Sequence, residues 1–176
     1  DSLEVLTAMS TLKSVDGRFE FFKSASNITC IVDYAHTPDA LENVLKTISS
    51  FKKEGNKVIS LVGCGGDRDK TKRPKMAQIA SKMSNQTILT SDNPRTEDPN
   101  TILEEMEAGI SEENQAKNIT ISDRKEAIKL AISLAQSNDI LLIAGKGHEK
   151  YQDINGTKHP FDDLAIAKEL FIKMKK

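Results

Sequence analysis

Four short polar segments of this sequence contain residue types that could bind a charged ligand. They are residues 33–38 (DYAHTP), 63–70 (GCGGDRDK), 91–95 (SDNPR) and 144–149 (AGKGHE). Each segment follows a short run of apolar, β-forming residues. Because the ligands of an open parallel sheet bind at the carboxyl ends of its strands, we predict that the four segments meet at one edge of a sheet and form one site.

The glycine-rich segment, residues 63–70, could present backbone amides to an anion or a carboxylate, since glycine permits a tight turn. It is not a complete dinucleotide-binding fingerprint, because Arg68 stands where the pattern G-x-G-x-x-G needs its third glycine. We therefore interpret Arg68 as a cation for a ligand carboxylate or phosphate. The alternative is a surface salt bridge to Asp67 or Asp69, which is the usual outcome for an arginine in such company.

In the next segment a rigid proline precedes a guanidinium. Pro94 restricts the backbone, and Arg95 can bind a carboxylate through two parallel hydrogen bonds. Asn93 can offer both a donor and an acceptor to a ligand. The alternative for this segment is an Asx-type turn ahead of a helix that begins near Pro99.

The segment from 144 to 149 resembles half of a phosphate-binding loop. The full pattern G-x-x-x-x-G-K-[ST] occurs nowhere in the chain, so this chain cannot by itself hold a triphosphate in the P-loop manner. Glu149 could accept hydrogen bonds from a ligand ammonium. Gly145 and Gly147 leave room for a substrate to approach the backbone.

Asp33 and the histidines have simpler interpretations. Asp33 ends an apolar strand, where an isolated carboxylate is costly unless a ribose diol or a neighbouring cation satisfies it. We interpret His36 as a hydrogen-bonded structural histidine rather than a metal ligand. His148 and His159 do not form a metal-binding spacing, and the two cysteines are far apart in sequence. No metal site is predicted.

The composition predicts a single globular domain of ordinary size. The chain has 176 residues, of which 38% are hydrophobic and 29% charged, with two cysteines in apolar stretches and a net charge of −1. That charge offers no bulk attraction to nucleic acid or to an anionic membrane. No apolar run approaches the roughly 20 residues of a membrane span, and the first residues lack the features of a secretory signal. We therefore expect a cytoplasmic protein without disulfides.

The hydrophobic pattern alternates between strand and helix periods. It predicts strands at residues 28–33, 58–62, 87–90, 119–121 and 140–144, and helices over 40–48, 127–135 and 162–174. A further helix is expected to begin after Asp98-Pro99, and Ser122 or Asp123 can cap the helix that follows. Such alternation requires parallel pairing with helices on both faces. The predicted class is α/β, a Rossmann-like, mostly parallel open sheet.

Two hairpins and a leading segment complete the prediction. Residues 19–22 and 28–32 flank a polar turn and predict one antiparallel strand at the sheet edge. Asn155-Gly156 predicts a second, small hairpin. Residues 1–17 are interpreted as the tail of a preceding domain or a lead-in, with a short helix over 3–12. The main domain is expected to span 18–176.

The sequence also resembles a known family. The strings GRFEFF, VDYAHTPDAL, GCGGDRDKTKRP, TSDNPRTEDP and AGKGHEKYQ resemble, in order and spacing, the carboxyl-terminal domain of the Mur ligases, and among them the MurE type. VDYAHTPDAL alone would also suggest folylpolyglutamate and cyanophycin synthetases, whereas DNPR with a downstream GKGHE is specific to the MurE branch. The resemblance runs from about residue 17 to the end.

The resemblance implies one domain of a three-domain, ATP-dependent ligase of peptidoglycan synthesis. The amino-terminal domain would bind the UDP-sugar, and the central domain would hold the P-loop and most of the contacts to Mg²⁺. The substrate carboxylate of UDP-N-acetylmuramoyl-L-alanyl-D-glutamate would become an acyl phosphate, which the amine of meso-diaminopimelate attacks. No catalytic residue is expected in this domain, and the isolated domain is expected to be inactive.

The resemblance also assigns binding residues. On the ATP side it implies Arg18 and Asp33, with Tyr34 and His36 beside them. The implied amino-acid pocket consists of Arg68, Asp92, Asn93, Pro94, Arg95, Gly145 and Glu149. A distal carboxylate on the substrate would give Arg95 a partner that lysine lacks, and an unpaired buried guanidinium would oppose lysine. Lanthionine, which has the same end groups, stays open.

Two alternatives remain at this point. One is a folylpolyglutamate-type ligase, in which glutamate is the incoming amino acid. The other is a module that binds an amino acid or a nucleotide without catalysis. An upstream P-loop in the full-length gene would favour a ligase, and its absence would favour the binding module.

Overall fold

The computed structural model describes residues 18–176. The predicted short helix over 3–12 lies outside the described residues. The strands are β1 (Glu20–Lys23), β2 (Thr29–Asp33), β3 (Val58–Cys64), β4 (Gln86–Ser91), β5 (Asn118–Ile121), β6 (Ile140–Ala144), β7 (Tyr151–Ile154) and β8 (Thr157–Pro160). The helices are α1 (Pro38–Phe51), α2 (Lys72–Met83), α3 (Pro99–Glu107), α4 (Glu112–Gln115), α5 (Arg124–Leu134) and α6 (Asp163–Lys173).

Six strands form one sheet in the order β1-β2-β6-β3-β4-β5. Strand β1 pairs with β2 in the antiparallel direction, and the other pairs are parallel. This confirms the predicted class, including the single antiparallel strand at the edge. The connection from β2 through α1 to β3 skips one strand position, which β6 fills. The carboxyl ends of β2, β6, β3 and β4 are therefore neighbours.

Hydrophobic cores on both faces explain the runs of apolar residues. Helices α1, α2 and α3 cover one face, and α5 and α6 cover the other. In β2, the side chain of Ile31 packs into the first core, whereas those of Cys30 and Val32 pack into the second. Strands that are buried on both faces read as continuous apolar sequence rather than as an alternating pattern. Both cysteines are buried as free thiols.

Most helix starts follow the sequence signals. Thr37, Asp98, Asp123 and Asp162 each accept a backbone N–H bond as the cap of the helix that follows, so Asp123 rather than its neighbour caps α5. Helices α2 and α4 were not predicted. The buried face of α2 includes a charged residue, Arg73, as well as a serine, which hides its apolar period, and α4 is a single turn.

The second hairpin forms a separate two-stranded sheet, as predicted. Strands β7 and β8 pair in the antiparallel direction. The two turn residues, Asn155 and Gly156, have φ values of 50° and 77°, which are the left-handed values of a tight hairpin turn. Among residues 18–176, no helix is both long enough and apolar enough to cross a bilayer.

Candidate amino-acid site

The four predicted segments do meet at the carboxyl edge of the sheet, around a cavity of about 450 Å³. Its lining consists of Tyr34, His36, Thr37, Gly63, Gly65, Arg68, Asp69, Lys72, Asp92, Asn93, Arg95, Gly145, Glu149 and Tyr151. Eight of the eleven predicted ligand-binding residues are in this set. The other three, Arg18, Asp33 and Pro94, do not line the cavity. A larger cleft of about 920 Å³ adjoins the same loop, but of the predicted residues only Pro94 and Arg95 line it, so the chemistry favours the smaller cavity.

The side chain of Asn93 is committed to contacts inside the domain. Its Nδ2 donates to Oε2 of Glu149 at 2.8 Å. Its Oδ1 accepts from Nζ of Lys146 at 2.9 Å and from the backbone N–H of Asp153 at 2.9 Å. These partners determine the orientation of the amide, because an ammonium and a backbone N–H only donate. Asn93 therefore does not form the alternative Asx-type turn, and its main effect is to hold Glu149.

Sequence reasoning missed Lys146. Its side chain is fully buried, and Nζ lies 3.2 Å from Oδ1 of Asp92 and 3.4 Å from Oε2 of Glu149. The only signal was a lysine between two glycines after a buried strand, which we interpreted as part of a phosphate loop. The structure turns this lysine inward, towards the carboxylates.

The hairpin positions Arg95, and this contact also could not be read from the sequence. The backbone N–H of Arg95 donates to the carbonyl of Asp153 at 3.0 Å, and the N–H of Asn155 donates to the carbonyl of Arg95 at 2.8 Å. Arg95 has a φ of 51°, which non-glycine residues rarely adopt. Gln152 adds a side-chain bond of 2.7 Å to the carbonyl of Asp92. The hairpin thus holds the loop that carries the guanidinium.

The glycine-rich loop packs directly beneath Arg95. A Cβ on Gly66 would lie 1.9 Å from the carbonyl oxygen of Pro94, so this position requires glycine. Arg68 is exposed, and its Nη1 donates to the main-chain carbonyl of Asp67 at 3.2 Å. The carboxylate of Asp67 accepts from Thr96. The alternative salt bridge to a neighbouring aspartate is therefore not formed in the described structure, and the guanidinium of Arg68 faces the cavity.

Two buried arginines support the loops from below. Arg73 donates to the carbonyl of Gly65 at 3.2 Å and forms ion pairs with Glu97 at 2.8 Å and Glu105 at 2.6 Å. The hydrogen bonds from Arg73, then that from the N–H of Asp67, lower the pKa of Glu97 to about 2. The sequence analysis does not predict either ion pair of Arg73, because pairs between distant segments leave no periodic pattern in the sequence.

The second buried arginine, Arg124, ties the ends of two strands together. It pairs with Asp163 through bonds of 2.9 and 2.7 Å. Its remaining donors reach the carbonyl of Ala144 at 3.2 Å and that of Ser91 at 3.4 Å. Burial lowers the pKa of Arg124, but the charge and hydrogen bonds of Asp163, together with the charges of Asp92 and Glu149, outweigh it, so the pKa is raised. Arg124 therefore links the carboxyl ends of β4 and β6, from which two of the cavity's loops begin.

Asp33 receives its donors from the backbone. Oδ2 accepts from the N–H of Phe19 at 2.6 Å, and Oδ1 accepts from the N–H of Ala35 at 2.8 Å. Burial raises the pKa of Asp33, and these two bonds and the charge of Arg18 oppose that rise. Two amides thus supply donors that we expected from a ribose or a cation. Arg18 itself is exposed beside this carboxylate.

An aromatic row borders the cavity next to Asp33. The ring of Tyr34 lies 4.6 Å from that of His36 and 5.2 Å from that of His148, measured between centroids. Nδ1 of His36 is 2.9 Å from the carbonyl of Tyr34, which agrees with the predicted hydrogen-bonded histidine. Burial, followed by the charges of Glu149 and Asp92, raises the pKa of Tyr34.

The cavity is lined by side chains of both charge signs. Arg68 and Arg95 supply cations, and Asp92 and Glu149 supply carboxylates. A zwitterion, which carries both a carboxylate and an ammonium, is the kind of ligand that such a lining complements. The fold and the site therefore define an α/β domain with a cavity, lined by charges of both signs, at the carboxyl edge of its sheet.

Comparison with known proteins agrees with that class. Residues 17–147 match the sequence profile of the family described as "Mur ligase, glutamate ligase domain". The chain belongs to this family, which confirms the resemblance noted from the sequence.

Individual relatives show which type of Mur ligase this chain resembles. The chain is 57% identical over 170 residues to the UDP-N-acetylmuramoyl-L-alanyl-D-glutamate--2,6-diaminopimelate ligase of Cytophaga hutchinsonii, an alignment that covers 97% of this chain and 35% of that protein. A solved structure of a ligase with the same name superimposes with a TM-score of 0.84 at 40% identity, over 99% of this chain and 37% of that one. The chain thus spans about a third of the length of these relatives.

A folylpolyglutamate synthase from Thermotoga maritima is more distant. It shares 19% identity with a TM-score of 0.57, and the alignment covers 81% of this chain and 33% of that one. At this level the likeness shows the shared fold alone.

Proposed function

We propose that this chain is the amino-acid-binding domain of an ATP-dependent ligase that adds meso-diaminopimelate to UDP-N-acetylmuramoyl-L-alanyl-D-glutamate in peptidoglycan synthesis. The observation that carries the proposal is that Arg68 and Arg95 line the same cavity as Asp92 and Glu149. The names of the most similar relatives support the choice of substrate. Because this chain spans only a third of those relatives, the activity is proposed for the full-length protein.

The domain's contribution to the reaction is orientation and charge neutralisation. ATP phosphorylates the glutamate carboxylate, and the attacking amine displaces phosphate to form the amide. On the ATP side, Arg18 offers a cation and Tyr34 and His36 offer ring faces. In the amino-acid pocket, Arg95 meets the distal carboxylate, and Asp92 and Glu149 meet the neighbouring ammonium. Gly145 has no side chain, which leaves its backbone open to the ligand.

Mg²⁺ and the triphosphate belong mainly to another part of the full-length enzyme. Across residues 18–176, no three His, Cys, Asp or Glu side chains are grouped as a metal-ion site, and the P-loop pattern is absent from the sequence. The donor set therefore does not fit a magnesium site built by this domain alone. We propose that the central domain of the same protein supplies the magnesium site.

ATP and a UDP-sugar are cytoplasmic metabolites, so we propose a cytoplasmic location.

Substrate specificity of the full-length enzyme tests the proposal directly. Phosphate release would be followed with ATP, Mg²⁺ and UDP-N-acetylmuramoyl-L-alanyl-D-glutamate, with meso-diaminopimelate, L-lysine or L-glutamate as the incoming amino acid. We expect turnover with meso-diaminopimelate and little with the other two. Turnover with lysine alone would keep the family and refute the role of Arg95. Turnover of a folate substrate with glutamate would favour the folylpolyglutamate type, and the absence of any turnover would favour the binding module.

A further inference from the structure

The lysine at the centre of the Gly-Lys-Gly segment has no surface to offer to a ligand. Lys146 is completely buried behind the wall of the cavity. Its Nζ contacts Oδ1 of Asp92 at 3.2 Å, Oδ1 of Asn93 at 2.9 Å and Oε2 of Glu149 at 3.4 Å. An ammonium has three N–H donors, and three acceptors on three side chains account for all of them.

The glycines on either side make this burial possible. Gly145 and Gly147 have φ values of 119° and 51°, which lie in the left-handed region that glycine adopts at little cost. The N–H of Glu149 donates to the carbonyl of Lys146 at 2.9 Å and closes a tight turn. A Cβ on Gly145 would lie 3.2 Å from Oδ2 of Asp92. The segment thus folds back on itself, with the lysine directed inward and Glu149 directed at the cavity.

The buried charge changes what the cavity presents to a ligand. Asp92 and Glu149 carry two formal negative charges on one wall, and the ammonium of Lys146 compensates one of them. The remaining single negative charge matches one ligand ammonium. Without the lysine, two nearby carboxylates would repel each other, and the acceptor oxygen of Asn93 would keep only its bond to Asp153.

We propose that Lys146 is a positioning residue that holds Asp92, Asn93 and Glu149 in place and sets the net charge of the wall that binds the substrate ammonium. The inference rests on the proposed function, since it specifies how the same pocket recognises its amino acid. Lys146 touches no substrate in this scheme. It acts through the two carboxylates and the amide, whose positions it determines.

The kinetics of Lys146→Met in the full-length ligase test the inference. The KM for meso-diaminopimelate should rise by about tenfold or more, because the carboxylates and the amide lose the charged hydrogen-bond donor that holds them in place. The kcat and the KM for ATP should stay within about twofold, because a contact made equally in the ground and transition states affects KM alone. Lys146→Arg, which keeps the charge, should raise the KM for meso-diaminopimelate less than Lys146→Met does. Lys150→Met is the matched control, since this neighbouring lysine is exposed and should leave all constants unchanged.

The other possible kinetic results separate a failure of the Lys146 inference from a failure of the proposed function. An unchanged KM for meso-diaminopimelate, or an equal rise in the KM for ATP, overturns the positioning role and leaves the proposed function intact. If Lys146→Met does not fold, Lys146→Gln and Lys146→Arg replace it, and a higher KM for meso-diaminopimelate in the uncharged variant is the expected result. Equal values in those two variants overturn the inference. A wild-type enzyme that does not use meso-diaminopimelate refutes the proposed function itself.

Discussion

Nη1 of Arg95 donates a hydrogen bond of 2.6 Å to the main-chain carbonyl of Gly66. The two residues belong to different loops, one after β4 and one after β3. The bond anchors one side of the guanidinium to the glycine-rich loop and leaves its other donors free for a ligand carboxylate. The specificity proposed for this pocket therefore depends on two loops and on the hairpin that holds one of them.

Replacing Arg95 should impair binding of the amino acid. We expect Arg95→Ala in the full-length enzyme to raise the KM for meso-diaminopimelate by well over about tenfold, because a bidentate charged contact is lost. Arg95→Lys should restore little, since a point charge cannot reproduce the planar fork. Steady-state kinetics with Lys129→Ala as an exposed control would measure this. Unchanged constants in Arg95→Ala would refute the assigned role.

Replacing Gly66 should damage the fold of the pocket. The Cβ of Gly66→Ala would overlap the carbonyl oxygen of Pro94 at 1.9 Å. Because this is a main-chain atom, no side-chain rotation can relieve the overlap. We expect the free energy of unfolding to fall by about 2 kcal/mol or more, measured by denaturant unfolding. Gly55→Asn is the control, because this site is open and asparagine tolerates a positive φ. An equal loss of unfolding free energy in Gly66→Ala and Gly55→Asn would show that the structure relieves the clash, and it would contradict this prediction.

Breaking the buried pair under the cavity should be costly. Arg124→Met leaves Asp163 as an uncompensated charge, and both side chains are completely buried. We expect a loss of about 3–5 kcal/mol in the free energy of unfolding. The double variant Arg124→Met/Asp163→Leu should recover part of that loss, because it removes both charges. A double variant no more stable than Arg124→Met would contradict this account.

The ion pair of Glu97 should contribute stability that is lost in acid. Its folded pKa is about 2, against an ordinary value of 4.5, mainly because of the hydrogen bonds from Arg73. A carboxyl group whose pKa is lower in the folded state than in the unfolded state stabilises the fold. This contribution is complete at a pH above the unfolded pKa and disappears as the pH falls through the folded pKa. We therefore expect Glu97→Gln to be less stable than the wild type at pH 7, with a difference that shrinks between about pH 5 and pH 3. A difference independent of pH in this range would contradict the assignment.

The sequence by itself determined the fold class and the edge at which the site lies. Apolar runs and apolar stripes alternate along the chain, and this alternation predicted the parallel sheet, the antiparallel edge strand and most helices. The polar segments follow the strands directly, so the sheet places them together. Local signals such as the caps at Asp98 and Asp123 act over a few residues and can be read without a structure.

Only the tertiary structure decided which polar groups face the cavity and which support it. Asn93 carried the expected donor and acceptor, yet both are used within the domain. Lys146 resembled a phosphate ligand in sequence and is instead buried against Asp92, while Arg124 pairs with Asp163 across 39 residues. Such pairs depend on distances between segments that are remote in sequence, and a buried charge is stable only where the fold brings its partner to it. Local pattern does not contain that information.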